Sequence, residues 1–500
     1  MSTIFIEKMN EVHVRVFSTE SIEADLCDAL TFYVDGYKFM PKFRAGLWDG
    51  KIYLYQPFRK TLYAGLVYKV KEYAEQNGHK VEFIEEPKIT LNKSEIHSFV
   101  NSLNIHSKGA PITVRDYQLT AIHESINRQR ATILSPTASG KSCILYSLIR
   151  WHVENNRKCL LIVPTASLVE QMYTDFQDYS SHNEWSVEEN CHRLYSGFSR
   201  NFEKNVLIST WQSLAMGKGK QLTKEWYSQF DAVFIDECHL ASASSLTGIM
   251  EKMVNTKYRI GTTGTLSNSK TNSLVIEGIF GQVFRVITTK ELIDQKSLSD
   301  LKINALVLKY SEEEKKYFAK NKINYQTEIK YLTSHQKRNK FIRNLALRVT
   351  GNTLLLFRFV ETHGKVLYDM LQDKAGDTKK IYFIHGNVEV EERELVRKIL
   401  TTESNAVVVA SEGTMSTGTN IPSIENIIFA SPTKSKVRNL QSIGRGLRLN
   451  KDKEKCTLFD LTDDLSYKKY KNHTLLHGAE RYKLYCEEQF DVKLLEINFD

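Results

Sequence analysis

The chain has 500 residues, enough for about three domains at a typical ~150 residues each. Its 41% hydrophobic and 25% charged residues with only eight prolines are the composition of an ordinary globular protein, which excludes a disordered or fibrous chain. The formal charge of +9 is moderate, so the placement of the basic residues carries more information than their total.

The longest apolar runs, such as 353–357 and 406–410, fall far short of the ~20 residues a membrane-spanning helix needs. Residues 1–10 lack the basic region and apolar core of a signal peptide. Cys27, Cys143, Cys159, Cys191, Cys238, Cys456 and Cys486 are odd in number and form no CxxC pair, which argues for reduced thiols rather than a disulfide framework or zinc ribbon. A soluble intracellular chain is expected.

In chain order, residues 1–107 read as a small α+β module. Val12, Val14, Val16 and later Ile52 and Leu54 alternate as in half-buried strands, with a helical segment near 21–33. Between positions 38 and 71, Lys38, Lys42, Arg44, Lys51, Arg59, Lys60, Lys69 and Lys71 face Asp49 alone. Phe39, Phe43, Trp48, Tyr53, Tyr55, Phe58 and Tyr63 are interleaved with them, the combination a nucleic-acid surface uses for phosphate contact and base stacking. The same aromatics would equally serve as the core of a small domain with the cations as its solvated face.

Residues 108–290 read as an α/β domain: short apolar runs at 131–134, 159–163, 206–209, 232–235 and 258–262, each followed by helical spacing, indicate a parallel sheet with crossover helices. After the first run, Ser135-Pro136-Thr137-Ala138-Ser139-Gly140-Lys141-Ser142 opens an apolar helix, the context of a phosphate-binding loop, although Ser135 replaces the first glycine of that pattern. Backbone N–H groups there can surround a phosphate, Lys141 can reach the β and γ phosphates, and Ser142 can bind Mg²⁺. The run 232–235 ends in Asp236-Glu237-Cys238-His239, at the strand edge where ligands bind in such sheets. Asp236 is suited to hold Mg²⁺ and Glu237 to orient and deprotonate water, the two roles phosphoryl transfer to water demands. Cys143 and Cys238 read as small buried fillers.

Segment 291–345, with Glu312-Glu313-Glu314-Lys315-Lys316, reads as a connector with exposed helices. Runs at 353–357, 380–384, 406–410, 426–430 and 456–461 mark a second α/β domain over 346–465, and 466–500 reads as a helical tail. The basic stretch 467–472 of that tail is open between DNA contact and a solvated helix face.

The acidic tetrapeptide and the phosphate loop together resemble the superfamily 2 helicases and translocases, and further motifs follow in the order of that family over about residues 112–465. The resemblance implies two tandem RecA-like parallel-sheet motor domains using ATP and Mg²⁺. It implies adenine reading by Gln118 with Tyr117 packed nearby, in Arg115-Asp116-Tyr117-Gln118. It places nucleic-acid backbone contacts at Pro164 and Thr165 and at Thr210 and Trp211. Gly261-Thr262-Thr263-Gly264-Thr265 matches the motif coupling hydrolysis to strand movement, implicating Thr263 and Thr265; from its position His239 either reaches across to them, the favoured reading, or caps its strand. In the second domain, Arg358 and Thr417 are implied DNA contacts and Gly418 a nucleotide contact. The run Gln441-Ser442-Ile443-Gly444-Arg445-Gly446-Leu447-Arg448 supplies Gln441 and two arginine-finger candidates, Arg445 and Arg448, three apart on one helix face.

The run from Gly36 to Lys51 resembles the small N-terminal domain of phage UvsW-type helicases. That likeness implies a DNA-binding accessory role with contacts at Lys42, Arg44, Lys51 and Lys60, and a motor that remodels forks and junctions in recombination, repair and replication restart. The partners it implies are branched, duplex or single-stranded DNA and single-strand-binding and recombination proteins. It further implies a monomer without membrane contact in the cytoplasm of a phage-infected or prokaryotic cell. An RNA-remodelling helicase, the motor subunit of a restriction system and an ATP-gated clamp are the competing readings, because backbone contacts alone do not distinguish sugars.

Overall fold

A computed structural model describes residues 2–34, 36–83, 90–215, 222–242, 244–266, 270–376, 379–386, 396, 399–400, 402–413, 423–431, 443–444, 447 and 455–499. The chain falls into two compact units, Met1–Ser135 with Gly140–Ile287, and Thr288–Asp500 with Pro136–Ser139.

The first unit contains a seven-stranded sheet in the order Cys191–Leu194, Val206–Thr210, Cys159–Val163, Ala232–Asp236, Tyr258–Thr263, Arg130–Leu134, Val283–Arg285. Every pairing in it is parallel. Its central strands are largely apolar because both faces are covered: Cys159, Leu161, Val163, Phe234 and Ile260 enter one core, while Leu160, Ile162, Val233 and Ile235 enter the other. The five strands read from the sequence lie within one or two residues of these bounds. The order puts the ends of strands 232–236, 258–263 and 130–134 side by side, which brings the acidic pair, the Gly-Thr-Thr-Gly-Thr motif and the phosphate loop to one edge.

The second unit contains a seven-stranded sheet in the order Lys380–Ile384, Ala406–Ser411, Thr353–Phe357, Asn426–Phe429, Lys455–Asp464, Asp300–Lys309, Asp491–Asn498, again parallel at every pairing. Two expectations change here. Segment 291–345 is not only a connector, since Asp300–Lys309 lies inside the sheet between two neighbours. Its burial alternates at first, with Leu301 and Ile303 inside, and is continuous from Ala305 to Leu308, as in a strand covered on both faces. Nor is 466–500 only helical, because helix His473–Glu487 is followed by edge strand Asp491–Asn498. The basic stretch 467–472 is a turn closed by the Tyr467–Tyr470 bridge rather than a helix face. Buried ion pairs tie these late elements in. Arg338 donates to Asp463 at 2.7 Å, with both side chains fully buried, and Arg481 donates to Asp460 at 2.8 Å.

The N-terminal module is a four-stranded sheet, Thr61–Tyr63, His13–Phe17, Thr3–Lys8, Lys80–Phe83, with helices Glu20–Ala29 and Val67–Gln76. Its core is largely aliphatic: Ile4, Ile6, Val14, Val16, Leu26, Leu62 and Val70, with Tyr55 as the one fully buried aromatic among the seven interleaved with the basic residues. Helix Lys270–Phe280, which follows the seven-stranded sheet's strand Tyr258–Thr263, contributes Leu274 to this core. A Cβ on Gly65 would stand 2.1 Å from the Glu277 carbonyl oxygen, so glycine allows the turn 64–66 to touch that helix. The module ends earlier than 107, because Ile96, Val100, Leu103 and Ile105 pack in the core of the first seven-stranded sheet with Ala121 and Ile122.

Candidate ATP and nucleic-acid sites

The phosphate loop leaves strand Arg130–Leu134 at buried Ser135, whose N–H donates to Thr263 O at 2.9 Å. Ala138 (φ +66°) and Gly140 (φ +80°) take left-handed backbone angles on either side of Ser139, whose hydroxyl donates to Pro136 O at 2.6 Å. Such alternation turns successive N–H groups to one side as an anion-binding cradle, at the start of helix Lys141–Glu154. Ala138 accepts this conformation at a steric cost that glycine would avoid, as residues at functional loops often do. Gln118 fills the space beside Gly140: an added Cβ would lie 2.3 Å from its Nε2. The Gln118 Oε1 accepts from Arg115 N at 2.9 Å, and Tyr117 OH accepts from Arg115 Nη1 at 3.0 Å. Lys141 Nζ donates to Ser135 O at 3.2 Å, within the loop it would leave to reach a phosphate. This cradle, cation and hydroxyl fit a Mg²⁺-nucleotide, whose metal needs few protein ligands because phosphates and water complete its shell.

At the neighbouring strand end, Asp236 is 7% exposed, and its Oδ1 accepts from Thr262 Oγ1 at 2.8 Å and from Glu237 N at 3.0 Å. Burial and then the Glu237 carboxylate push its pKa up, while Lys141, Thr262 and the Glu237 N–H pull it down. A cation bound here would favour the ionised form. Glu237 takes a left-handed φ of +54°. Its Oε2 lies 3.2 Å from His239 Nδ1 and 3.4 Å from Thr263 Oγ1. His239 Nδ1 lies 3.0 Å from that same Thr263 hydroxyl, which donates to Thr265 O at 2.9 Å. The expected reach of His239 to Thr263 is thus present in the geometry, as a three-membered cluster with the acidic residue. Cys143 is 4% exposed with its thiol pushed up to about 12 by burial, and Cys238 is fully buried, so both are fillers.

The paired strand ends Val163↔Thr210 bring the nucleic-acid candidates of the first domain together. Thr165 caps helix Ala166–Tyr179, accepting from Leu168 N at 3.4 Å, and Thr210 Oγ1 accepts from Ser213 N at 3.3 Å. Gln212 donates to Pro164 O at 3.4 Å. Trp211 is half-buried and packs against the apolar core, while Gln212, the next residue of the same motif, and Ser167, not singled out in the sequence, are exposed polar side chains beside it. In the second unit Arg358 is exposed at the end of strand Thr353–Phe357, its guanidinium 5.5 Å from the Phe359 ring. Thr417, Gly418, Gln441, Arg445 and Arg448 lie outside the described residues.

On the N-terminal module Lys42 and Arg44 are exposed. Lys51 is half-buried, its Nζ 5.2 Å from the Tyr33 ring, and Arg44 lies 6.0 Å from the Phe39 ring. Lys60 differs, because it donates to Glu23 at 2.8 Å and its charge is already answered. Phe39 is 76% exposed and Phe58 fully exposed, while Trp48 is half-buried with its N–H on Lys51 O at 2.8 Å. The aromatics of this stretch therefore divide between surface and interior.

Comparison with known proteins agrees with this order of parts. Residues 4–84 match the family described as DNA helicase UvsW, N-terminal; 111–268 match type III restriction enzyme, res subunit; and 336–450 match the helicase conserved C-terminal domain. The chain is 34% identical over 509 aligned residues to the ATP-dependent DNA helicase uvsW of Enterobacteria phage T4, covering 97% of this chain and 98% of that protein. The crystal structure of T4 UvsW superposes with a TM-score of 0.52 at 31% identity over 99% of each chain. The type ISP restriction-modification enzyme LlaBIII bound to DNA shares the fold alone, with a TM-score of 0.56 at 16% identity over 78% of this chain and 32% of that one. With its two parallel-sheet motor domains and UvsW-type N-terminal module in place, the chain belongs to the superfamily 2 helicases as a member of the UvsW family of ATP-dependent DNA helicases.

Proposed function

We propose that this helicase remodels branched DNA, at forks and junctions formed in recombination, repair and replication restart, with hydrolysis of Mg²⁺-ATP at the phosphate loop. Lys141 neutralises phosphate charge, Ser142 and Asp236 hold Mg²⁺, and Gln118 with Tyr117 receives the adenine. When bound, Mg²⁺ supplies charge neutralisation on the phosphates as the terminal bond breaks. Glu237 orients the attacking water and accepts its proton, and the contact through His239 and Thr263 ties that base to the motif ending in Thr265. From the second domain, Arg445 and Arg448 are the candidates to meet the γ-phosphate, with Gln441 and Gly418 beside the nucleotide.

On DNA, Pro164, Thr165, Thr210, Trp211, Arg358 and Thr417 mark the motor track, with Trp211 half-buried against the core beneath it. Lys42, Arg44 and Lys51 extend the surface onto the module, and Lys60 contributes least. The observation that carries the branched-DNA reading is the exposure of Phe39 and Phe58 in a stretch rich in exposed cations, because unpaired bases at a junction offer π faces and duplex arms offer phosphates. Among the described residues no helix is long and apolar enough to cross a membrane. A monomer in a phage-infected or prokaryotic cytoplasm, working beside single-strand-binding and recombination proteins, completes the proposal. ATPase rates with single-stranded DNA, duplex, fork, four-way junction and structured RNA test it. Forks and junctions should stimulate most, and equal or greater stimulation by RNA would overturn the DNA reading.

A further inference from the structure

Tyr179 is the last residue of helix Ala166–Tyr179, 37 positions from the phosphate loop, yet its hydroxyl lies 2.8 Å from Ser142 Oγ. The tyrosine is held on several sides. Its ring packs edge-on against Tyr146, one helical turn beyond Ser142, with centroids 5.5 Å apart. The preceding Asp178 accepts from Ser107 Oγ and from Lys108 N, each at 2.8 Å. The other end of the helix is capped by Thr165. A serine that binds a cation must present a lone pair to it and turn its hydrogen away. That hydrogen then needs an acceptor on the far side, at a site where one oxygen of the buried Asp236 carboxylate already accepts from Thr262 and the Glu237 N–H.

We propose that Tyr179 is a positioning residue for the Mg²⁺-nucleotide site: its phenolic oxygen accepts the Ser142 hydrogen and so keeps the serine lone pairs turned to the metal. The proposal rests on the reading of Ser142 as a metal-holding residue. The bland account is that Tyr179 only fills space against Tyr146. Tyr179→Phe separates the two, since it keeps the ring and its packing and deletes one hydroxyl.

The experiment titrates Mg²⁺ into full-length protein with N-methylanthraniloyl-ADP and reads nucleotide binding by fluorescence, with an EDTA series as the metal-free control. Loss of one hydrogen bond to the serine should raise the Mg²⁺ concentration for half-maximal binding about three- to tenfold, leaving metal-free affinity unchanged. Ser142→Ala should raise the same midpoint by itself, and adding Tyr179→Phe to it should have no further effect, because the tyrosine acts through that serine. An unchanged or lowered midpoint in Tyr179→Phe would overturn the proposal. So would an equal loss of affinity with and without Mg²⁺, or an additional loss in the Ser142→Ala background. If Ser142→Ala left the midpoint unmoved, the reading of Ser142 itself would fall, and the role of Tyr179 with it.

Discussion

Charge removal on the N-terminal module gives the most quantitative test of its part in DNA binding. Lys42, Arg44 and Lys51 point to solvent or lie over aromatic rings, whereas Lys60 is paired with Glu23. The triple variant Lys42→Gln, Arg44→Gln, Lys51→Gln therefore removes three candidate phosphate contacts. Each contact contributes about 0.9 to the slope of log affinity against log salt on duplex DNA, so the slope should flatten by about 2.7. Between about 50 and about 200 mM salt, wild type should lose roughly 40-fold more affinity than the variant does. Lys60→Gln should move the slope by much less than one unit. The two rings under Arg44 and Lys51 give cation–π contacts of about 0.5–1 kcal/mol at exposed sites, so folding should survive, with circular dichroism as the control. Fluorescence anisotropy of a labelled fork across salt reads the slope, and Lys42→Arg with Lys51→Arg should keep it. A folded triple variant with the wild-type slope would refute the reasoning and confine DNA contact to the motor domains.

Further outcomes are expected elsewhere. Glu237→Gln should bind ATP near normally while turnover falls about 10²- to 10⁴-fold, the usual contribution of general-base catalysis, checked by nucleotide binding beside steady-state ATPase. Asp463→Ala strands the fully buried Arg338 and removes the partner of Tyr310, whose hydroxyl donates to the same carboxylate at 2.7 Å. Breaking one side of such a pair should cost about 3–5 kcal/mol, read by denaturant unfolding of the second unit. At the seat of the N-terminal module, burial raises the Glu277 carboxyl from 4.5 to about 7. The folded state then holds more protons between those values, so this group's contribution to stability falls as pH rises from about 4.5 toward about 7 and is flat above. Glu277→Gln should remove that fall, so its melting temperature relative to wild type should be higher near pH 8 than near pH 5, by differential scanning fluorimetry. A constant difference across that range would place the titration elsewhere.

The sequence alone determined those features that local physics controls. Doubly buried parallel strands are largely continuous apolar runs, so 159–163, 232–235 and 353–357 were visible as strands without any knowledge of their neighbours. A phosphate loop joins a strand to a helix through small residues and a lysine, and a strand-end carboxylate pair follows it, so Lys141, Asp236 and Glu237 stood out as candidates by spacing and residue type. Tertiary structure decided whatever depends on who packs against whom. Strands Asp300–Lys309 and Asp491–Asn498 are amphipathic or charged at an edge, and their membership of the sheet comes from pairing with Lys455–Asp464 and with each other across long chain separations. Tyr55 was buried in the module's core while Phe39 was left at the surface, a choice residue identity does not make. Lys60 was neutralised by Glu23 and Ser142 met by Tyr179, 37 residues apart in each pair, because folding sets which polar groups share a surface.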